Sequence, residues 1–95
     1  MRPKIGCIYY YTSDLHKDIE ELFLVTSKQQ WADWLYYVQP LASNGKGKEL
    51  PYRINVYMKH RKWEEVFIED LPLYIGMKII TSKFTELIGG QPLCK

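Results

Sequence analysis

Little in this chain invites covalent or redox chemistry. Its 95 residues include only two cysteines and two histidines. Cys7 lies inside an apolar run and Cys94 next to the last residue, a spacing that fits neither a metal site nor a disulfide framework. Cys7 reads as a small buried apolar side chain. His16 stands between Asp14 and Asp18, and His60 in a basic run. Neither has a third ligand or a nucleophile at a matching position, so neither a metal centre nor a catalytic triad is expected. Long hydrophobic runs are missing as well. Ile5 to Tyr11 and Leu22 to Val25 are far too short to cross a bilayer, and no charged-then-apolar leader opens the sequence. A soluble cytoplasmic protein with no membrane partner is expected. One-sided charge is also lacking, since the formal net charge of +2 does not demand a polyanionic partner. Gly45-Lys46-Gly47-Lys48 has the letters of a phosphate-cradling loop without its spacing. Glu49-Leu50-Pro51 follows where Ser or Thr and a helix are needed. No cofactor is expected.

What is present is a folding composition. Apolar residues make up 46 % and aromatics 15 % of the chain, ample for a core and far from the disordered regime. The length suits a single domain over residues 1–95.

The strongest local signal is a phrase written twice, Val25-Thr26-Ser27-Lys28 and Ile80-Thr81-Ser82-Lys83, each time where β-formers give way to a helical pattern. A Ser side chain at a helix start accepts from one of the four N–H groups that lack an intrahelical acceptor. Ser27 and Ser82 are the predicted caps, with Gln30 completing a capping box at the first. After Ser27, the residues Trp31, Trp34, Leu35 and Val38 fall at i, i+3, i+4 and i+7, a helical stripe that Pro40 ends. After Ser82, Phe84, Leu87 and Ile88 form a shorter stripe stopped by Gly89-Gly90.

The remaining elements read as β. Lys4 to Tyr11 is apolar or aromatic on both parities, the mark of a strand covered on both faces. Ile19 to Thr26 fits a helix through Ile19, Leu22 and Phe23, and a strand through its dense Leu-Phe-Leu-Val-Thr run. A strand from about residue 20 is preferred, because a helix would leave the first strand without a sequence neighbour. The polar stretch from Pro40 to Pro51 is the long loop. From Tyr52 to Asp70 the alternation predicts a hairpin with Val56 opposite Val66, Ile54 opposite Ile68 and Arg53 opposite Glu69. A further strand runs from Leu73 to Thr81. The order β-β-α-loop-β-β-β-α predicts an α+β fold, an antiparallel sheet of about five strands with two short helices packed on one face.

Function is then sought on what this fold leaves outside. The helical stripe turns Tyr36 and part of Tyr37 outward, and the hairpin register puts Tyr57 and Phe67 on its outer face. Tyr and Phe bury large area at low entropic cost, so outward aromatics rimmed by charge suit a protein interface. The expected function is a non-enzymatic protein-binding module, such as a small inhibitor, adaptor or immunity-type factor. Its partner-binding residues are Tyr36, Tyr37, Tyr57 and Phe67, and a homodimer is compatible with this reading. The alternative is nucleic-acid binding by the basic tip Lys59, His60, Arg61 and Lys62 with Trp63, joined by the loop lysines Lys46 and Lys48.

Overall fold

A computed structural model describes residues 3–15, 19–45, 51–55 and 61–89, with only the backbone at position 61. The elements are β1 (Ile8–Ser13), β2 (Glu20–Lys28), β3 (Leu35–Ser43), β4 (Tyr52–Asn55), β5 (Arg61–Val66), a 3-10 helix (Ile68–Tyr74), β6 (Ile79–Ile80) and α1 (Ser82–Gly89). Every strand pairing is antiparallel. The strand order is β4-β3-β2-β1-β5, and β6 pairs with β3 beyond β4. The class is therefore α+β, with a sheet of five long or short strands plus the two-residue β6, and two short helices. No helix among the described residues is long and apolar enough to cross a membrane.

The double-sided apolar character of β1 is explained by its position between β2 and β5. On one face Ile8 joins Leu22, Leu41, Ala42 and Val66, covered by Leu71 of the 3-10 helix and Phe84 of α1. Both helices thus sit on the same face. On the other face Tyr9 and Tyr11 join Phe23, Val25, Tyr36, Val38 and Ile54. Long side chains bridge that face across the strands, the Tyr52 hydroxyl of β4 donating to the Glu21 carboxylate of β2 at 2.5 Å over β3. From the opposite edge Trp63 of β5 reaches over β1 to Phe23, with ring centroids 5.2 Å apart. Before β1, Lys4 to Cys7 make a tight turn closed by the Cys7 N–H on the Lys4 carbonyl at 3.2 Å. Gly6 holds φ +88° there, a value that glycine adopts without a Cβ penalty.

The first predicted helix is not formed. Gln29 to Trp34 make the loop of the β2–β3 hairpin, closed by the Gln29 N–H on the Leu35 carbonyl at 2.9 Å, and β3 begins at Leu35. The helical spacing of Trp31, Trp34, Leu35 and Val38 coincides with a second pattern that wins: Tyr36, Val38 and Pro40 are buried while Leu35, Tyr37 and Gln39 are half-buried. β-formers at Tyr36, Tyr37 and Val38 favour this pleat. Pro40 is tolerated inside β3 because the register with β2 shifts there, Leu22 opposing Ala42 and Phe23 opposing Pro40, so Leu41 is an extra residue. The second predicted helix is formed, as α1 at Ser82–Gly89, while a 3-10 helix that was not predicted, Ile68–Tyr74, takes the end of the predicted hairpin and the start of the predicted strand from Leu73. Only Ile79–Ile80 of that strand pairs.

The predicted hairpin over 52–70 is also replaced. β4 pairs with β3, Ile54 opposite Tyr36 and Arg53 opposite Tyr37, while β5 pairs with β1, Val66 opposite Ile8. Ile68 and Glu69 belong to the 3-10 helix. Local complementarity loses to β1, whose remaining edge takes β5 and brings Val66 opposite Ile8 into the core. Val56, Tyr57 and Met58 lie outside the described residues.

The doubled phrase divides in the same way. Val25-Thr26-Ser27-Lys28 ends β2 as strand, with a register shift at Thr26. Ile80-Thr81-Ser82-Lys83 is a true strand-to-helix junction, capped by Thr81 and not by Ser82. The Phe84 N–H donates to Thr81 Oγ1 at 3.4 Å and the Thr85 N–H to the Thr81 carbonyl at 3.2 Å. The same hydroxyl faces the Pro40 and Leu41 carbonyls, each at 2.9 Å, and shares its single proton between them. The cap thereby fastens α1 to the irregular part of β3.

Candidate docking surface

The 3-10 helix follows Val66 through one extended residue, Phe67. With three residues per turn, side chains three apart eclipse one another. Leu71 and Tyr74 therefore share the inward row, with Ile68 at its exposed end. Leu71 is fully buried and Tyr74 packs on Tyr10, ring centroids 5.5 Å apart. Phe67 and Leu73 align on an outward row with Asp70 between them, and Ile75 aligns with Glu69 and Pro72. Hydrogen bonds from the Asp70 N–H to the Phe67 carbonyl (2.9 Å) and from the Ile75 N–H to the Pro72 carbonyl (3.4 Å) hold the ends of the segment. The result is a ridge of large apolar side chains facing solvent: Leu73 is 81 % exposed, Phe67 57 %, Ile75 54 % and Ile68 41 %.

A shallow cleft flanks each end of the ridge. One, of about 240 Å³, runs between Phe67–Ile68 and the Gly6–Ile8 turn, with Ile5 of that turn also exposed. The other, of about 400 Å³, lies between Leu73–Tyr74 and the pair Tyr10 and Glu20, with Lys78 on its rim. The surroundings are acidic. Glu64, Glu69 and Asp70 are exposed beside the ridge. Burial, then the charge and hydrogen bond of Glu20, then Tyr74 and Glu64, push the Tyr10 phenol up to about 12. Tyr74 is raised by burial first and then by Glu64 and Asp70. Both phenols stay protonated at neutral pH in a locally negative field, and that of Tyr10 donates to Glu20.

A third, larger cleft of about 510 Å³ opens on the face opposite the helices, between Ile19, Tyr11 and Glu21 on one side and Leu35 and β4 on the other. Its hydroxyl and carboxylate are engaged with each other, as described above. Among the described residues no three His, Cys, Asp or Glu side chains converge in a way that would hold a metal ion.

Of the residues singled out for partner binding, Phe67 lies on the ridge. Tyr36 does not face outward: it is buried in the core with Tyr9, Phe23 and Val38, because in a strand it takes the inward parity. Tyr37 is half-buried on the opposite parity of β3, across from Arg53. Tyr57 lies outside the described residues. Of the basic set, Lys46, Lys48, Lys59 and His60 lie outside the described residues, and Arg61 opens β5. Lys62 is exposed and pairs with Asp14 at 3.1 Å. Trp63 is half-buried, edge-to-face with Tyr9, Tyr11 and Phe23 at 5.8, 6.0 and 5.2 Å, so its ring is used internally and is not offered to a base. Trp31, expected in a buried stripe, is exposed in the β2–β3 loop, edge-to-face with Trp34 at 6.3 Å. The ridge residues Ile68, Leu73 and Ile75 were not foreseen. The available signal was the period of three in Ile68, Leu71, Tyr74 and Met77 around Pro72, which fits neither a strand nor an α-helix.

The chain matches no protein-family model, no curated protein and no solved structure. The functional reading therefore rests on surface chemistry alone.

Proposed function

We propose that this chain is a non-enzymatic protein-binding module, a small inhibitor, adaptor or immunity-type factor, that docks its 3-10 ridge on a partner protein. The observation that carries this reading is the exposure of four large apolar residues, Phe67, Ile68, Leu73 and Ile75, on and beside the 3-10 helix that fully buried Leu71 anchors. Contiguous exposed apolar area on a monomer marks an interaction surface more often than scattered single residues do. Anchors held rigid before binding lose little conformational entropy on docking. The flanking Glu64, Glu69 and Asp70 match an apolar partner surface with a basic rim, which would speed encounter and set orientation. Affinity capture from the source cell tests the reading, comparing the wild type with Phe67→Ala combined with Leu73→Ala. Circular dichroism should show both folded, and a stoichiometric protein captured by the first should be lost from the second. A pair of central anchors is worth about 2 kcal/mol or more, roughly thirtyfold in Kd. Retention of that protein by the double variant, or recovery of nuclease-sensitive material alone, overturns it.

A further inference from the structure

We propose that two copies of this chain join through β5, edge to edge and antiparallel, into one continuous sheet with Trp63 at the two-fold axis. β5 closes one end of the strand order, and among the described residues its outer edge pairs with no other strand. Such an edge is a template for a further strand. A two-fold axis perpendicular to a continuous sheet keeps each face on its own side, so opposed residues must share a parity. Within Arg61–Val66, four registers centred on an interior residue meet that condition, and the one centred on Glu65 would set Glu65 against Glu65. Centred on Glu64, the two copies would set Glu64 against Glu64. Centred on Lys62, they would set Lys62 against Lys62. Centred on Trp63, Lys62 lies opposite Glu64 of the second copy and position 61, an arginine, opposite its Glu65, each pairing occurring twice. Directly opposed unlike charges favour a register and like charges disfavour it, so β5 is self-complementary in one register only.

The neighbouring charges reinforce that register. Lys62 pairs with Asp14 at 3.1 Å and Glu65 with Lys4 at 3.3 Å, both at the surface. Each isolated pair contributes little. Docking would place Lys62 between Asp14 and the second copy's Glu64, extending an isolated pair into a row of alternating sign. Lysine on an edge strand ordinarily deters pairing. Here the alternation of sign along β5 makes it selective for its own copy. This contact shares Glu64 with the acidic rim of the ridge, but its test reads self-association of the chain alone and needs no second protein.

Sedimentation equilibrium of the full chain, at low and at high salt, tests the proposal. The wild type should self-associate, more weakly as salt rises. Lys62→Glu and Glu64→Lys should each weaken association about tenfold, since each replaces two unlike pairs by like ones. The combined Lys62→Glu, Glu64→Lys chain restores opposite charges across the axis and should return to within about threefold of wild type. Both side chains are exposed, and circular dichroism should show all three variants folded. A wild type that stays monomeric up to about millimolar concentration, or a combined variant as weak as the single ones, overturns the proposal.

Discussion

Thr26 and Thr81 occupy the same place in the same four-residue phrase, and the fold assigns them very different energies. Replacing each with Val keeps shape and removes only the hydroxyl. At Thr81 the hydroxyl accepts from the Phe84 N–H (3.4 Å), and losing an N-cap costs about 1 kcal/mol. It also donates to the Pro40 and Leu41 carbonyls. These are not orphaned by the change, because Gln39 Nε2 still donates to Pro40 at 3.0 Å and the Thr81 N–H to Leu41 at 2.9 Å. The second loss is therefore one net hydrogen bond, about 1 kcal/mol, and not the larger penalty of an unsatisfied carbonyl. Together Thr81→Val should cost about 2 kcal/mol, roughly 8–16 °C in Tm for a domain of this size. At Thr26 the hydroxyl donates to the Tyr37 carbonyl at 3.2 Å in an exposed setting. Water replaces that bond and Val suits a strand, so Thr26→Val should fall within about 0.5 kcal/mol of wild type. Urea unfolding followed by tryptophan fluorescence and by far-UV circular dichroism, with unchanged m-values, measures both. Equal costs at the two positions, or a Thr81→Val change below about 0.5 kcal/mol, would refute the assignment of Thr81 as the cap and clamp of α1.

Alkaline pH should weaken the fold in a defined window. The Tyr10 phenol titrates at about 12 in the folded chain against a usual 10.0, and Tyr74 is raised as well. The unfolded chain then loses these protons first, so stability is constant below about pH 10 and falls between about 10 and 12. Urea midpoints from pH 8.5 to 12 should show that decline, and Tyr10→Phe should flatten it; an equally steep decline in the variant would sink the argument. Trp63 buries its Nε1, which finds no acceptor among the described residues. Trp63→Phe should thus lie within about 1 kcal/mol of wild type, as relief of the unpaired donor offsets lost contact area, whereas Trp63→Ala should cost 3 kcal/mol or about that. Equilibrium unfolding separates the two, and a Phe variant as damaged as the Ala variant would show that the indole N–H is satisfied.

How far the chain could be read in advance depended on how local each determinant was. β1 was legible because Ile8 and Tyr10 alternate with Tyr9 and Tyr11, and a strand apolar on both sides has to be central. The α1 stripe was legible because Phe84, Leu87 and Ile88 follow a capping phrase directly. The stretch from Trp31 to Val38 was misleading, since its spacing satisfied a helix and a loop-plus-strand equally and only the edge of β2 decided between them. The segment from Tyr52 to Val66 misled in another way: its charges and branched residues fit a local hairpin, while the real partners are Tyr36 for Ile54 and Ile8 for Val66, far off in sequence. Of the docking surface, Phe67 was legible by residue type. Ile68, Leu73 and Ile75 were not, because a 3-10 row repeats at a period that neither the strand nor the helix template detects.

The pairing of β5 with β1 also sets a timetable. β1 ends at Ser13 and its partner β5 ends at Val66, so 66 − 13 = 53 further residues must be synthesised before that edge is closed. β2 and β3 emerge in order and pair as a meander meanwhile. At ribosomal rates of about 5–20 residues per second, the nascent chain carries an open β1 edge, flanked by Tyr9 and Tyr11, for roughly 3–10 seconds. Chaperone engagement and competition between neighbouring nascent chains should concentrate in that interval, and a faster message over codons 14 to 66 should shorten it.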